Sequence, residues 1–348
     1  TGTGDQVSEV FNFTAKDSGG GTGVDGSLTI KINDDAPTAT DKAAQDVNEG
    51  ATVTGTLDFV SGADGASVTH IGATALIFGV DDYSQAIDIG SGSLKVKADG
   101  SYSYTADNPV GNDPAVQDTA TFTVTDGDGD TVDIDITFNL QDVNVPVAAA
   151  SAALVDDDGL AGGNAASVTG DAADANADSD NNESTFSGTL SFTAGGDTPV
   201  SVDFAKMDGE TGAAVGQETV AYSWSSGTGV LTATIDGGDR NSTVLFTVTV
   251  TDAATGAYQV ALLDNVIHAD GGDENDATAA LMFTVTDNDN STSDADLTVT
   301  FDDDAPTATD EAAQDVSEGV TVTGTLDFVE GADGASVTHI GATALIFG

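Results

Sequence analysis

The stretch from Asp34 to Gly79 occurs twice, and nothing else in the chain limits its fold so strongly. Asp34-Asp35-Ala36-Pro37-Thr38-Ala39-Thr40-Asp41 returns 269 positions later as Asp303-Asp304-Ala305-Pro306-Thr307-Ala308-Thr309-Asp310. From there to Gly79 and Gly348 the copies differ at only four pairs: Lys42/Glu311, Asn48/Ser317, Ala51/Val320 and Ser61/Glu330. So close a match marks a recent duplication, and the expectation is a window on a tandem array that starts inside one unit and stops inside another.

A repeated unit must build its own core, and with 39% hydrophobic residues each unit has the material for one. Charge sets the choice of partners. Fifty-nine acidic residues against seven basic ones leave a formal charge of -52, so nucleic acid and anionic lipid, which need a basic face, are excluded as partners. Such acidity with few aromatics also characterises disordered chains. Here, however, β-branched and aromatic residues alternate with Thr, Ser and Asp over many short segments, the period-2 signature of half-buried strands. The chain has no cysteine, so cations bound by carboxylates are the expected staple in place of disulfides. No apolar run is long enough to span a bilayer, and direct membrane insertion is not expected.

The strand pattern predicts an all-β chain of tandem immunoglobulin- or cadherin-like β-sandwiches joined by short acidic, calcium-binding linkers. Residues 1–33 read as the last strands of a preceding sandwich, ended by Pro37, which has no amide hydrogen to give a ladder. Residues 34–141 read as a complete sandwich with strands near 51–60, 67–78, 84–89, 93–98, 101–105, 119–125 and 131–140. Residues 142–301 read as a larger one that opens with a polar region over 148–182, and residues 302–348 as the truncated start of a further copy of the 34–141 domain.

The acidic residues follow one grammar. Phe122-Thr123-Val124-Thr125-Asp126-Gly127-Asp128-Gly129-Asp130 and Phe283-Thr284-Val285-Thr286-Asp287-Asn288-Asp289-Asn290 are strands running into acidic hairpins, and Phe11 to Asp17 is a weaker version. Each return strand leads to an acidic linker: Asn33-Asp34-Asp35, Asp142-Val143-Asn144, or Asp302-Asp303-Asp304. Two carboxylates about 4 Å apart repel by roughly 4 kcal/mol at an effective dielectric near 20. Calcium suits such loops best, because it takes six to eight oxygens in irregular geometry, whereas magnesium keeps its waters. The candidate calcium ligands are therefore Asn33, Asp34, Asp35, Asp126, Asp128, Asp130, Asp142, Asn144, Asp287, Asp289, Asp302, Asp303 and Asp304. Glu49 and Glu318, just past the Pro-containing linkers, and the Asp156-Asp157-Asp158 run join them. The plainer reading is that Asp, Asn and Gly simply form polar turns.

These residues also carry a resemblance. Asp-Asp-Ala-Pro at 34–37 and 303–306 is similar to the Asp-rich junctions of cadherins, and Ser93 to Tyr104 followed by Phe122 to Asp130 resembles the VCBS and cadherin-like repeats of giant bacterial adhesins. Val155 to Pro306, with Asp156-Asp157-Asp158-Gly159, Gly272-Asp273-Glu274-Asn275-Asp276 and Phe283-Thr284-Val285-Thr286-Asp287, resembles the long repeat of type I-secreted repeats-in-toxin adhesins. The resemblance implies an extracellular, calcium-rigidified stalk on the surface of a Gram-negative bacterium, serving cell adhesion or biofilm formation. The calcium nonapeptide of that group occurs only as Gly20 to Leu28, with Ser27 where an apolar residue belongs.

Other functions fare worse. His70 and His339 are one position in two copies, no Gly-x-Ser-x-Gly elbow accompanies a histidine, and catalysis is not expected. Tyr222 and Trp224 lie two apart, on one strand face, and read as core before they read as a sugar-stacking platform. The Thr-x-Thr run at 121–125 is what any half-exposed strand shows, not an ice-binding face. Calcium and neighbouring repeats are the expected partners of a monomeric array, with a glycan or host-surface protein reached through other domains. The rival readings are a ligand-binding module using loops around 171–183 and 270–276, and homophilic adhesion between arrays.

Overall fold

The computed structural model describes residues 6–111, 116–161, 163, 183–269, 276–304, 306–332 and 334–346. The chain separates into two compact units, Thr1–Val143 and Asn144–Gly348. Apart from a 3₁₀ turn at Ala205–Met207, every regular element among the described residues is a strand.

In the first unit a five-stranded sheet runs in the order Gln45–Asn48, Thr131–Gln141, Gln117–Asp126, Ala66–Ile71, Thr74–Ala75. Alternation decides its faces. Ala120, Phe122, Val124, Ile134, Ile136 and Phe138 point inward and are buried, while Thr121 and Thr123 hydroxyls on the other face donate to Asp135 and Asp133. A second sheet of Thr52–Thr56, Ser101–Ala106, Gly92–Val96 and Ile87–Asp88 brings Leu94, Val96, Tyr102 and Tyr104 to the same core. There Tyr104 stacks on Phe138 with ring centroids 4.0 Å apart. Each such side chain stabilises the fold by roughly 1.5–3 kcal/mol relative to exposure.

The second unit repeats the plan with longer strands. Its six-stranded sheet is ordered Thr185–Thr189, Ala257–Leu262, Val244–Asp252, Val230–Ile235, Glu218–Ser225, Thr211–Val215, and its four-stranded sheet Ser151–Asp156, Thr292–Asp302, Ala277–Thr286, Ser201–Asp203. Tyr222 is buried in the core and Trp224 packs at its margin, 6.0 Å from the Phe204 ring, so this pair serves the core.

Several strands were not expected, among them three near the starts of the two sandwiches. Gln45–Asn48 pairs in parallel with Phe138 to Gln141, although only Val47 of its four residues is buried. Val147–Ala149 and Ser151–Asp156 occupy the start of what reads as a polar region, and Ser151–Asp156 pairs in parallel with Leu297 to Asp302. Alanine-rich segments have weak strand preference, and here burial against the neighbouring strand overrides it.

The two sandwiches share a motif that includes a glycine forced by close approach. Gly55-Thr56-Leu57-x-Phe59-x-x-Gly62-x-Asp64 recurs as Gly188-Thr189-Leu190-x-Phe192-x-x-Gly195-x-Asp197. Gly55 lies opposite Tyr102, and Gly188 opposite Tyr258. A Cβ at either position would strike the tyrosine hydroxyl, and the Tyr102 hydroxyl is itself fixed by a 2.6 Å hydrogen bond from Gln45 Nε2.

Elsewhere the strands lack cover. Gln6–Ala15 and Val24–Asn33 pair in full register yet are exposed at every position but Gly26. In the repeated stretch Leu57 is 5% exposed, whereas its counterpart Leu326 is 57% exposed, and residues 306–346 form only two-residue strands. The first unit covers these side chains with strands from 92–141.

The packing predicts that Gly55→Ala destabilises the first unit by about 1–3 kcal/mol through overpacking. Chemical denaturation followed by Tyr fluorescence will show an earlier transition for that unit, with the second unit, which holds the only Trp, unchanged.

Candidate functional site

The acidic hairpin of the first unit is built by its own backbone. The Gln117–Asp126 strand ends at Asp126, whose Oδ1 accepts the N–H groups of Gly129 (2.9 Å) and Asp130 (2.8 Å). Burial pushes the Asp126 carboxyl up, but the hydrogen bonds from Asp130, Asp128 and Gly129 outweigh it and hold the group below its ordinary value. The turn so fixed carries Asp128 and Asp130 to Asp34, and one carboxylate oxygen of each lies within 4.8 Å of the others.

This arrangement is costly without a cation. Burial, the adjacent Asp34 carboxyl, and the charges of Asp34, Asp128 and Asp126 push Asp130 up to about 6. Asp128 is also raised, chiefly by its contact with Asp126. The Oδ2 atoms of Asp34, Asp126 and Asp130 are buried without a hydrogen-bond partner. Asn33, Asp34, Asp35, Ala63, Asp64 and Asp128, with Val7 and Ile32, line a cavity of about 260 Å³ beside them. A donor set made wholly of oxygen, irregular and crowded with carboxylates, fits calcium.

The second unit forms a related turn. Asp287 Oδ1 accepts the Ser291 N–H at 2.8 Å, and Asp289 Oδ1 accepts it at 3.0 Å. Burial and the neighbouring Asp289 push Asp287 up to about 6. Burial raises Asp289 too, but the contacts with Asp287 and Ser291 prevail and hold it low. The Oδ2 atoms of both are buried and lack a hydrogen-bond partner. Asn288 donates its N–H to the carbonyl of Asp197, 3.3 Å away.

Other candidates stand elsewhere. Glu49 is buried and accepts the N–H groups of Val110 and Val143, each at 3.1 Å; it serves the exit of its own sandwich together with buried Asp142, away from the Asp34 group. Glu318 is exposed. Asp156 lies opposite Asp302 in the parallel pairing, accepts the Asp158 N–H at 3.0 Å and donates its own N–H to Glu183, while Asp157 is wholly buried. Asp35 and Asp304 accept main-chain N–H groups from Ala63 and Ala332, and the Asn144 carbonyl accepts that of Gly196. Asn33 closes its strand at the cavity rim. The loops over 171–182 and 270–275, proposed from sequence as ligand-binding, lie outside the described residues.

Sequence reasoning missed His268. It is buried, with Nδ1 3.0 Å from an Asp303 oxygen and Nε2 3.3 Å from the Phe301 carbonyl. Both ring nitrogens face acceptors. Burial pulls the imidazole down, but Asp303 and then Asp157 outweigh it and raise its pKa. Asp64 and Asp197 were missed as well. The Leu-x-Phe-x-x-Gly-x-Asp repeat at 57–64 and 190–197 was the available signal for both.

Comparison with known proteins bears on this geometry. Residues 33–139 match the family described as bacterial Ig domain. That stretch resembles a bacterial Ig domain. Its bounds take in the Asp34 linker, the Asp126–Asp130 turn and the whole first core. No curated protein matches the chain. Among solved structures the chain is similar to mouse clustered PcdhgC3 EC1-3, at 12% identity and a TM-score of 0.25, covering 85% of this chain and 77% of that one. It is similar to the human Desmocollin-1 ectodomain at 12% identity and 0.24, over 88% and 49%, and to an I-band fragment of titin at 9% and 0.26, over 84% and 74%. The chain thus spans about half the length of the desmocollin structure.

The raised Asp130 and Asp287 carboxyls fix the sign of a pH dependence in chelator. A carboxyl whose folded pKa lies above its unfolded value stabilises the fold when protonated, and that contribution is lost as pH rises through the folded value. Metal-free protein is therefore expected to melt at higher temperature at pH 5 than at pH 7, with the loss falling between about pH 4 and pH 6 and little further change above it. Thermal melts in chelator across that range check it, and Asp130→Asn together with Asp287→Asn should flatten the trend.

Proposed function

We propose that this chain belongs to the calcium-stiffened extender of a large bacterial surface adhesin, a stalk that projects a distal binding domain. In this reading 34–141 and 142–301 are complete domains, and 1–33 and 302–348 belong to neighbouring ones. The observation that carries it is the Asp34, Asp128 and Asp130 group, three carboxylates gathered at the end of a sandwich, of which Asp34 and Asp130 each hold a buried oxygen that no donor reaches. Asp34, Asp128 and Asp130 would hold the ion, with Asp126 fixing the turn. Calcium supplies the positive charge that seven basic residues in the chain cannot.

The acidic groups sit where the chain enters or leaves each sandwich, so ordering them orders the linkers. Strands of about nine residues, at roughly 3.3 Å each, give a domain some 30 Å long, and reach then grows with copy number. A bacterial Ig-like domain is of a kind typical of adhesion and structural proteins, which supports a mechanical role over a catalytic one. Among the described residues no helix is long and apolar enough to cross a membrane. Secretion by a type I system, placement on the cell surface and a role in biofilm formation rest on the resemblance of the acidic motifs.

Calcium titration of the full chain by calorimetry, with thermal melts in chelator and in calcium, tests the proposal. At calcium a hundredfold above the dissociation constant, each site adds about 2.7 kcal/mol, so the first unit should melt later in calcium than in chelator. Asp128→Asn with Asp130→Asn should remove the heat assigned to the first-unit site. Equal melting in both buffers, with no heat of binding, would sink the proposal.

A further inference from the structure

One contact occurs three times and involves no metal. The residue two before each linker proline is gripped by the loop after the Leu-x-Phe strand of the sandwich that follows. Asp35 Oδ2 accepts the Ala63 N–H at 3.1 Å, and in the repeat Asp304 Oδ2 accepts the Ala332 N–H at 2.8 Å. In the second sandwich the acceptor is the main-chain carbonyl of Asn144, 3.1 Å from the Gly196 nitrogen. The preceding loop residue is always a glycine of positive φ: Gly62 at 71°, Gly195 at 69° and Gly331 at 73°. A Cβ on Gly62 or Gly331 would lie 2.6 Å from the carbonyl oxygen of Asp35 or Asp304, and one on Gly195 would strike the Asn144 carbonyl. A side chain there is excluded twice, by conformation and by the linker lying on it.

We infer that this glycine loop is a calcium-independent latch that binds each linker to the sandwich after it. The latch survives a change of chemistry at the gripped position, since Asn144 substitutes for aspartate by offering its carbonyl. It also survives the change from Ser61 to Glu330 beside the loop. In the second unit, where the contact occurs twice, the Asp304 latch holds although residues 306–346 form almost no sheet. The linker from Asp35 onward therefore moves with its own sandwich, and any flexing on calcium loss is confined to the residues before it, at the end of the preceding return strand.

Amide hydrogen exchange on the full chain, read by NMR in chelator and again in calcium, tests this. The Ala63, Gly196 and Ala332 amides should be protected in both buffers. Asp35→Ala should speed exchange at Ala63 about tenfold, the equivalent of one hydrogen bond of roughly 1.4 kcal/mol, while the Phe122 amide in the core stays unchanged. Asp35→Asn, which keeps an acceptor oxygen and loses the charge, should retain protection. Asp304→Ala, read at Ala332, repeats the test in the other unit should the first variant lower global stability. Protection that appears only in calcium, or that Asp35→Ala leaves intact, would overturn the latch.

Discussion

Repulsion between carboxylates is the constraint to which this chain's architecture answers. A formal charge of -52 spread evenly would oppose folding everywhere. Strand alternation instead turns Thr, Ser and Asp outward along the sandwiches, where water screens them, and concentrates the buried acids at sandwich ends. There the repulsion is met by local means: N–H groups aimed at Asp126 and Asp289, a raised proton affinity at Asp130 and Asp287, and an imidazole between Asp303 and the Phe301 carbonyl. The cores beneath are ordinary aromatic and aliphatic packing, and need none of this.

The central strands were legible because their apolar residues keep strict period, as in Ala120-x-Phe122-x-Val124. Gln45–Asn48 and Ser151–Asp156 were not, since their inward residues are few or small and their pairing is decided by a partner about 90 or 150 positions away. At the site, local grammar was enough to place Asp126, Asp128 and Asp130 on one turn, and the linker rule brought Asp34 to them. Glu49 was assigned to the wrong neighbourhood: proximity in sequence to Pro37 suggested the entry, whereas the parallel strand carries it to the exit beside Val143. His268 gave no signal at all, because what gives it a role is the position of Asp303 and Phe301 in the fold.

The motif shared by 55–64 and 188–197 relates two sandwiches that look different in length and strand number. What is retained is the Gly–Tyr cross-strand fit, the Phe two residues past the leucine, and the glycine loop that meets the linker. Those are the places where backbone approaches backbone or an aromatic ring, and where no side chain is tolerated. The remaining surface is free to vary, which is how one scaffold yields a compact sandwich and an expanded one.

Parallel pairing of an early strand with the last one has a mechanical consequence. In each sandwich a strand near the entry, Gln45–Asn48 or Ser151–Asp156, lies alongside the strand that leaves, Thr131–Gln141 or Thr292–Asp302. Tension drawn through the two termini pulls these neighbours past each other lengthwise, so the bonds of the ladder share the load and must fail together. A zipper opened from one end would surrender them singly. A chain loaded through its two ends is better served by the first geometry.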